Sequence, residues 1–405
     1  MSKEVMFTYW GRRGALSDFM LELSREVVAN YPATISVSCF NELYDEFRDF
    51  GDSLFSVSTF ESSFGALTSL RNIFRLRRAC FDRFTSDRTR VVVNLIPHVW
   101  FPAVMPIMKR LGTRHVSVVH DANHHPGDPS GIFTTPLFLR QVRAADHAVT
   151  LSRYVQDMLV SNSILPRNRI TTLFHPDLTF GSTPNRRPPN GPLRILFFGR
   201  LLPYKRLDLF LDAIELLRAR GAAVEAGVLG AGNIRIHADR LKQLKVHVEN
   251  RWLSSKELGA KLQDYDVLAI CHSEASQSGA VAAAFGAGMP VIAFDVGGIP
   301  EQVRDEVTGL IVPKRTASDF ADAIIRLVNR PELLKQLMAG IQASRPTRSM
   351  RHFVDALWHI AEQQMLKSDD ESSDSPDCIK KFTSSEDHHA DTVQSRQKEA
   401  PAITP

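Results

Sequence analysis

Arg200 and Lys205 lie five residues apart in LRILFFGRLLPYKRLDLFLDAIELL, on a Gly/Pro-shaped loop between an apolar strand ending at Gly199 and an amphipathic helix. The guanidinium offers a planar fork of donors, the ammonium a compact charge, and the open N–H groups of the helix start add to both. Such a loop suits a diphosphate; the bland alternative is a pair of solvated cations. A second stretch, LAICHSEASQSGAVAAAFGAGMPVIAFDVGGIPEQV, places a polar loop with Glu274 after a strand ending near Cys271. Ser278, Gly279 and Ala280 then open a helix of small residues that stops at Gly288. Small side chains at a helix start let a ligand reach its N–H groups, whose partial positive charge favours anions. Close packing on a sheet asks for the same residues, so the helix alone does not decide. Gly297 and Gly298 form a further turn that a ligand could abut.

The histidines of interest, His98, His120, His124, His125 and His175, all fall in the N-terminal half. His120 ends the strand pattern HVSVVH, where a side chain can line a polar cleft. His120, Asp121, His124 and His125 could be imagined as a metal cluster, but adjacent histidines at a strand end are expected to line the cleft instead. Asp264-Tyr-Asp266 has the form of a metal-holding Asp-x-Asp, yet Asp266 enters the strand DVLAIC and reads as a structural turn.

These residues are positioned by a repeating signal: a short β-rich apolar run, a turn, then a stretch of helical period. EVMFTYW leads through GRRGALSD into FMLELSREVVA, and RVVVNLI, HVSVVH and HAVTL follow as strands. RILFFG, AGVLG, DVLAIC, PVIAF and GLIVP do the same beyond GSTPNRRPPNGP, whose Pro, Asn and Gly mark a linker over residues 181–192. Strands alternating with helices imply parallel βαβ units and an α/β fold. The expected division is residues 1–180, the linker 181–192, a second domain 193–345, a helix within 346–366 and a polar, disordered tail 367–405. GRRGALSD lacks the G-x-G-x-x-G spacing of a Rossmann oxidoreductase.

With 405 residues and 43% hydrophobic content, two domains can each bury a core. The apolar runs are far shorter than a spanning helix needs, and MSKEVMFTYWGRRG has no long apolar leader core, so neither a transmembrane segment nor a secretory signal is expected. Cys39, Cys80, Cys271 and Cys378 form no CxxC pair, which suits a reducing cytosol. The net charge of +4 divides into −4 beyond residue 366 and +8 before it. A basic body attracts nucleotides or anionic lipid heads without choosing between them, and no nucleic-acid-binding module accompanies it. In residues 64–84 Leu67, Leu70, Phe74, Phe81 and Phe84 fall on a helical stripe beside Arg71, Arg75, Arg77 and Arg78. Such a stripe is expected to face the core; a helix lying on an anionic membrane surface is the alternative.

The C-terminal half resembles the family-4 retaining glycosyltransferases. GR-x-x-x-x-K, LGAGN, GxPVIA-x-x-x-GGxPE and TGLIVP occur in order over nearly all of residues 193–345, and SEASQSG resembles a subgroup that builds bacterial polysaccharides. The N-terminal half matches more loosely, in its opening Gly loop and in VSVVHDANHH. The resemblance implies a GT-B architecture, two doubly wound Rossmann-like domains facing a central cleft. It also implies transfer of a hexose from a nucleoside-diphosphate sugar to a hydroxyl, with retention and no metal or other cofactor. Arg200 and Lys205 would hold the diphosphate, with Gly199, Gly230 and the backbone of Ser278, Gly279 and Ala280 beside it. Glu274 and His120 would meet the donor sugar, and Gly11 and Gly14 would close over it. The acceptor implied is a saccharide, lipid-linked at the cytoplasmic face of the inner membrane. One departure stands out: the motif's second glutamate falls at Ala282 or Ala283, leaving ribose recognition open. Glu301 could substitute or merely cap a helix. The rival reading is a non-catalytic sugar-nucleotide-binding or scaffold protein of the same fold.

Overall fold

The computed structural model describes residues 3–61, 65, 70–121, 131–181 and 191–373. His124, His125, Leu67, Cys378, most of the linker and the tail beyond 373 lie outside the described residues.

The N-terminal sheet holds β1 (Val5–Tyr9), β2 (Ala33–Ser38), β3 (Leu54–Val57), β4 (Val91–Asn94), β5 (Arg114–Val119), β6 (His147–Thr150) and β7 (Ile170–Thr172). Its order is β3-β2-β1-β4-β5-β6-β7. The second sheet holds β8 (Leu193–Phe198), β9 (Val224–Leu229), β10 (His247–Glu249), β11 (Val267–Ile270), β12 (Val291–Phe294) and β13 (Gly309–Val312). Its order is β10-β9-β8-β11-β12-β13. The pairings are parallel in both sheets. Strands such as VLAI and VIAF are apolar throughout and buried throughout, because helices cover both faces of a parallel sheet. Strand order reverses between β1 and β4 and again between β8 and β11. Ligands of doubly wound sheets bind at such switch points, outside the carboxyl ends of the strands.

The helices that matter are α1 (Ala15–Asn30), α2 (Leu70–Asp87), α3 (Gly131–Arg143), α4 (Arg153–Ser161), α5 (Leu207–Ala219), α6 (Ser255–Leu262), α7 (Gly279–Gly286), α8 (Ala317–Asn329), α9 (Pro331–Ser344) and α10 (Met350–Ser373). Phe19, Leu23 and Val27 repeat every fourth residue and bury one face of α1 completely. The last helix begins near the expected position but continues past residue 366 to Ser373. It returns to the N-terminal domain, where Trp358 stacks at 4.4 Å on Tyr31, the residue that caps the end of α1.

The expected core-facing stripe in α2 is corrected. Leu76, Cys80 and Phe84 form the buried face, whereas Phe74 is 74% and Phe81 37% exposed. Phe84 of the expected stripe does face the core, but the buried face it shares with Leu76 and Cys80 is centred about 110° around the helix from Phe74 and Phe81, given 100° per residue. Arg71, Arg75 and Arg78 share the outward face with the two phenylalanines.

Candidate active site

A cavity of about 850 Å³ lies between the domains at both switch points. Eight of the eleven expected residues line it: Gly14, Gly199, Arg200, Lys205, Gly230, Ser278, Gly279 and Ala280. Gly11, Glu274 and His120 stand off its wall.

Lys205 closes a short 3-10 turn and folds back under the end of β8, where its Nζ donates to the Phe198 carbonyl at 3.3 Å. Gly199 has a φ of +114°, and a Cβ there would sit 2.3 Å from that Nζ. Gly230, with φ +133°, faces Gly199 so closely that a Cβ would lie 2.0 Å from its carbonyl oxygen. Glycine is required at both positions by conformation and by space. Burial and the neighbouring Arg200 charge push the Lys205 ammonium down to about 8. Among the described residues no acid pairs with this buried lysine, while Arg200 is exposed at the mouth.

On the opposite wall Ser278 caps α7 with its side chain, accepting from the Val281 N–H at 3.4 Å. Gln302 fixes this turn, its Oε1 accepting from the Ser278 N–H at 2.6 Å. The helix behind is buried to its last residue, so its small residues pack and present the N-terminus together. Gln277 also lines the wall, and its Oε1 has no hydrogen-bond partner among the described residues. A third wall carries Trp252, 51% exposed although it lines a cavity. Its loop is pinned: Asn250 exchanges two 3.0 Å hydrogen bonds with Gly232, and Ser254 and Glu257 form a capping box on α6. An exposed, rigidly held indole is a stacking platform.

The N-terminal domain closes the cavity. Gly14, at φ +106°, precedes α1 and donates its N–H to Glu42 at 2.7 Å. Asp18, in the first turn of α1, accepts a hydrogen bond from the Ser255 hydroxyl of the other domain. Gly11 lies in the same loop, its carbonyl accepting from Asn41 at 2.8 Å. His120 sits at the carboxyl end of β5 but is only 7% exposed, its Nε2 lying 3.1 Å from the Leu95 carbonyl. Burial lowers its pKa and keeps the imidazole neutral. Glu274 is half-buried in the loop that carries Ser278. Among the described residues no group of three or more His, Cys, Asp or Glu is placed to hold a metal. Asp266 pairs with Arg194 at 2.9 Å across β11 and β8, a structural contact.

Glu301 faces elsewhere. Its carboxylate accepts from the N–H groups of Arg153 and Tyr154 at 2.6 and 2.9 Å, capping α4 across the cleft. It lines a rear cavity of about 580 Å³ together with Ala282, whereas Ala283 lines the front cavity. The front-facing alanine is therefore the position that a second motif glutamate would need. Asp18, Glu42, Trp252 and Gln277 were not singled out from sequence, because nothing in their spacing marks them.

Residues 192–330 match the family model described as glycosyl transferases group 1. The D-inositol 3-phosphate glycosyltransferase of Saccharomonospora viridis is 31% identical over 190 residues, covering 44% of each chain. The alpha-D-kanosaminyltransferase of Streptomyces kanamyceticus is 24% identical, covering 56% of this chain and 64% of that one. The chain thus spans under half the length of the first relative and under two thirds of the second. Among solved structures, Anabaena HepE in complex with UDP superposes with a TM-score of 0.68 at 12% identity, covering 89% of this chain and all of that one. A Rickettsia africae glycosyltransferase gives 0.67 at 13%, covering 90% and 99%. Two facing Rossmann-like domains of this kind are the GT-B architecture, and the match to the glycosyl transferases group 1 model is confined to the C-terminal domain.

Proposed function

We propose that the protein transfers a hexose from a nucleoside-diphosphate sugar to a hydroxyl of a saccharide acceptor, with retention of configuration and without a metal. The observation that carries this reading is the convergence of Arg200, Lys205 and the α7 N-terminus on one interdomain cavity. Charge that develops on the departing diphosphate is stabilised there by groups already in place. The sugar C1–O bond breaks with its electron pair passing to the phosphate oxygen. The acceptor oxygen bonds to C1 on the same face, and its proton moves to the departing phosphate. Glu274, His120 and the closing loop at Gly11 are assigned to the donor sugar and acceptor side. The relative named for D-inositol 3-phosphate fits transfer to a polyol-like hydroxyl, and the one named for kanosamine fits transfer of a hexose-type sugar; SEASQSG favours a lipid-linked saccharide in polysaccharide assembly.

The test is a melting and hydrolysis screen with UDP-, GDP- and ADP-hexoses. One donor is expected to stabilise the protein and be turned over; no response to any donor or free nucleotide would leave a scaffold of the same fold. Affinity for the responding nucleotide should fall as pH rises. Lys205 begins to lose its proton near 8 in the free protein, and a bound diphosphate restores it. Between those two pKa values binding takes up one proton, so Kd should rise roughly tenfold per pH unit. A flat profile from pH 7 to 10 would remove Lys205 from the site.

We further propose that the protein works peripherally at the cytoplasmic membrane face, docking through α2. Phe74 and Phe81 project between Arg71, Arg75 and Arg78, an arrangement that inserts rings at an interface while each cation gains about 1 kcal/mol from anionic lipid. Cosedimentation with vesicles containing phosphatidylglycerol should exceed that with phosphatidylcholine alone. Phe74→Glu with Phe81→Glu should reduce it at least about tenfold, given the cost of burying charge at an interface; unchanged binding would sink this face.

A further inference from the structure

We infer that Asp18, a residue of the N-terminal domain, reads the ribose of the donor nucleotide across the cleft, so that nucleoside recognition requires both domains at once. The inference rests on the donor-cavity reading above and deepens it.

Among the described residues lining the front cavity, the carboxylates are Asp18 and Glu42, and both belong to the N-terminal domain. The C-terminal domain supplies cations, N–H groups and an aromatic face, but no carboxylate; Ala283 occupies the helix position facing the cavity. A ribose offers two adjacent hydroxyl donors, and a carboxylate offers acceptor oxygens and nothing else. Nucleotide sites on doubly wound sheets use an acidic residue in this way.

Glu42 is already committed to the Gly14 N–H at 2.7 Å, which holds the glycine loop. Asp18 has a different partner, the hydroxyl of Ser255. That serine opens α6, directly after the loop that presents Trp252. The loops after β10 and β8 are two strands apart in the sheet, about 10 Å at normal strand spacing. This separation keeps the Asp18 carboxylate away from phosphates held by Arg200 and Lys205, and places it beside a nucleoside lying toward Trp252. Burial raises the Asp18 pKa, the Ser255 hydroxyl opposing it. A carboxylate so desolvated gains from further hydroxyl donors, which a ribose provides. The Ser255 hydroxyl marks where such a donor approaches. The consequence is that the phosphates can bind to one domain, whereas the ribose contact forms only when the two domains meet.

The experiment titrates UDP and GDP, with their 2′-deoxy and 3′-deoxy counterparts, into the full chain by calorimetry. The wild type is expected to prefer the ribonucleotide by roughly tenfold or more, the value of a hydrogen bond to a charged group. Asp18→Ala should reduce this preference below about twofold by weakening the ribonucleotide alone. Asp18→Asn, of equal size and retaining one acceptor, should fall between the two and carries the test if the alanine variant does not fold. Lys205→Ala should weaken both nucleotide forms equally and leave the preference intact. Full preference in Asp18→Asn and Asp18→Ala, or equal loss of both forms, overturns the inference while the donor cavity stands. No nucleotide binding to the wild type overturns the cavity reading and this inference with it.

Discussion

Lys205→Ala is expected to lower turnover of any nucleoside-diphosphate sugar by roughly a hundred- to a thousandfold, the loss typical of removing one preorganised charge-stabilising donor. The side chain is 7% exposed, so its attraction to a diphosphate is poorly screened. At 4 Å and an effective dielectric of 20, a unit pair is worth about 4 kcal/mol. Arg200→Ala should cost less, because Arg200 is exposed and water screens it. The apo protein should not pay in stability for losing Lys205. Its pKa falls from 10.5 to about 8 in the folded state, so the unfolded chain binds the proton more tightly. The charged lysine therefore destabilises the fold at neutral pH, a penalty relieved as pH rises from about 8 toward 10.5. Lys205→Ala should melt at or above the wild-type temperature at pH 7, with Kd for UDP or GDP raised. Turnover within twofold of wild type would remove the diphosphate assignment. A lowered melting point accompanying the loss would make the residue structural instead.

Why Lys205 was legible, and Asp18 was not, is a matter of chain locality. Arg200, Lys205 and Ser278 share short loops with the strands and helices that place them, so sequence alone carries their relation. The same holds for the buried strands: VLAI and VIAF are apolar on both faces and announce themselves. Strands near the sheet edges do not. Ala33–Ser38 is half serine and threonine, and His247–Glu249 is a three-residue strand with an exposed histidine, so neither was read. The α2 stripe failed for a different reason. Both faces of that helix carry large apolar residues, and periodicity cannot say which face meets the sheet. Asp18–Ser255, Glu301 on α4 and Trp252 are relations between elements more than a hundred residues apart or between a loop and an empty cleft. No spacing rule encodes such a meeting, and only the folded arrangement reveals that Ala283, not Ala282, lines the front cavity.

Arg348→Ala and Asp177→Ala should each destabilise the fold by about 3–5 kcal/mol, because each leaves a buried charge without its partner. The chain crosses between domains near Asp177 and returns near Arg348, and these crossings are tied together. Arg348 grips the Asp177 carboxylate with two hydrogen bonds of 2.9 and 3.0 Å, while the Asp177 N–H donates to the Arg348 carbonyl at 2.9 Å. The guanidinium also lies 4.8 Å from the Phe285 ring at the end of α7. Both side chains are largely buried, and desolvation raises the Asp177 pKa even against Arg348. The two variants should differ in their response to acid. In Arg348→Ala the lone carboxyl has a folded pKa above its unfolded value, so the deficit is present at neutral pH and shrinks as pH falls through that pKa. In Asp177→Ala the stranded guanidinium cannot shed its proton, so the deficit should persist from pH 7 to pH 4. Replacing both residues with apolar ones should cost less than the sum of the single losses, since neither charge is then left unpaired. Denaturant unfolding at two pH values checks all of this. Deficits under about 1 kcal/mol, typical of an exposed pair, would show that the crossing is held by packing instead. In that case the domains would be free to rotate without breaking this contact, and cleft closure would have to be resisted elsewhere, at Glu301 on α4.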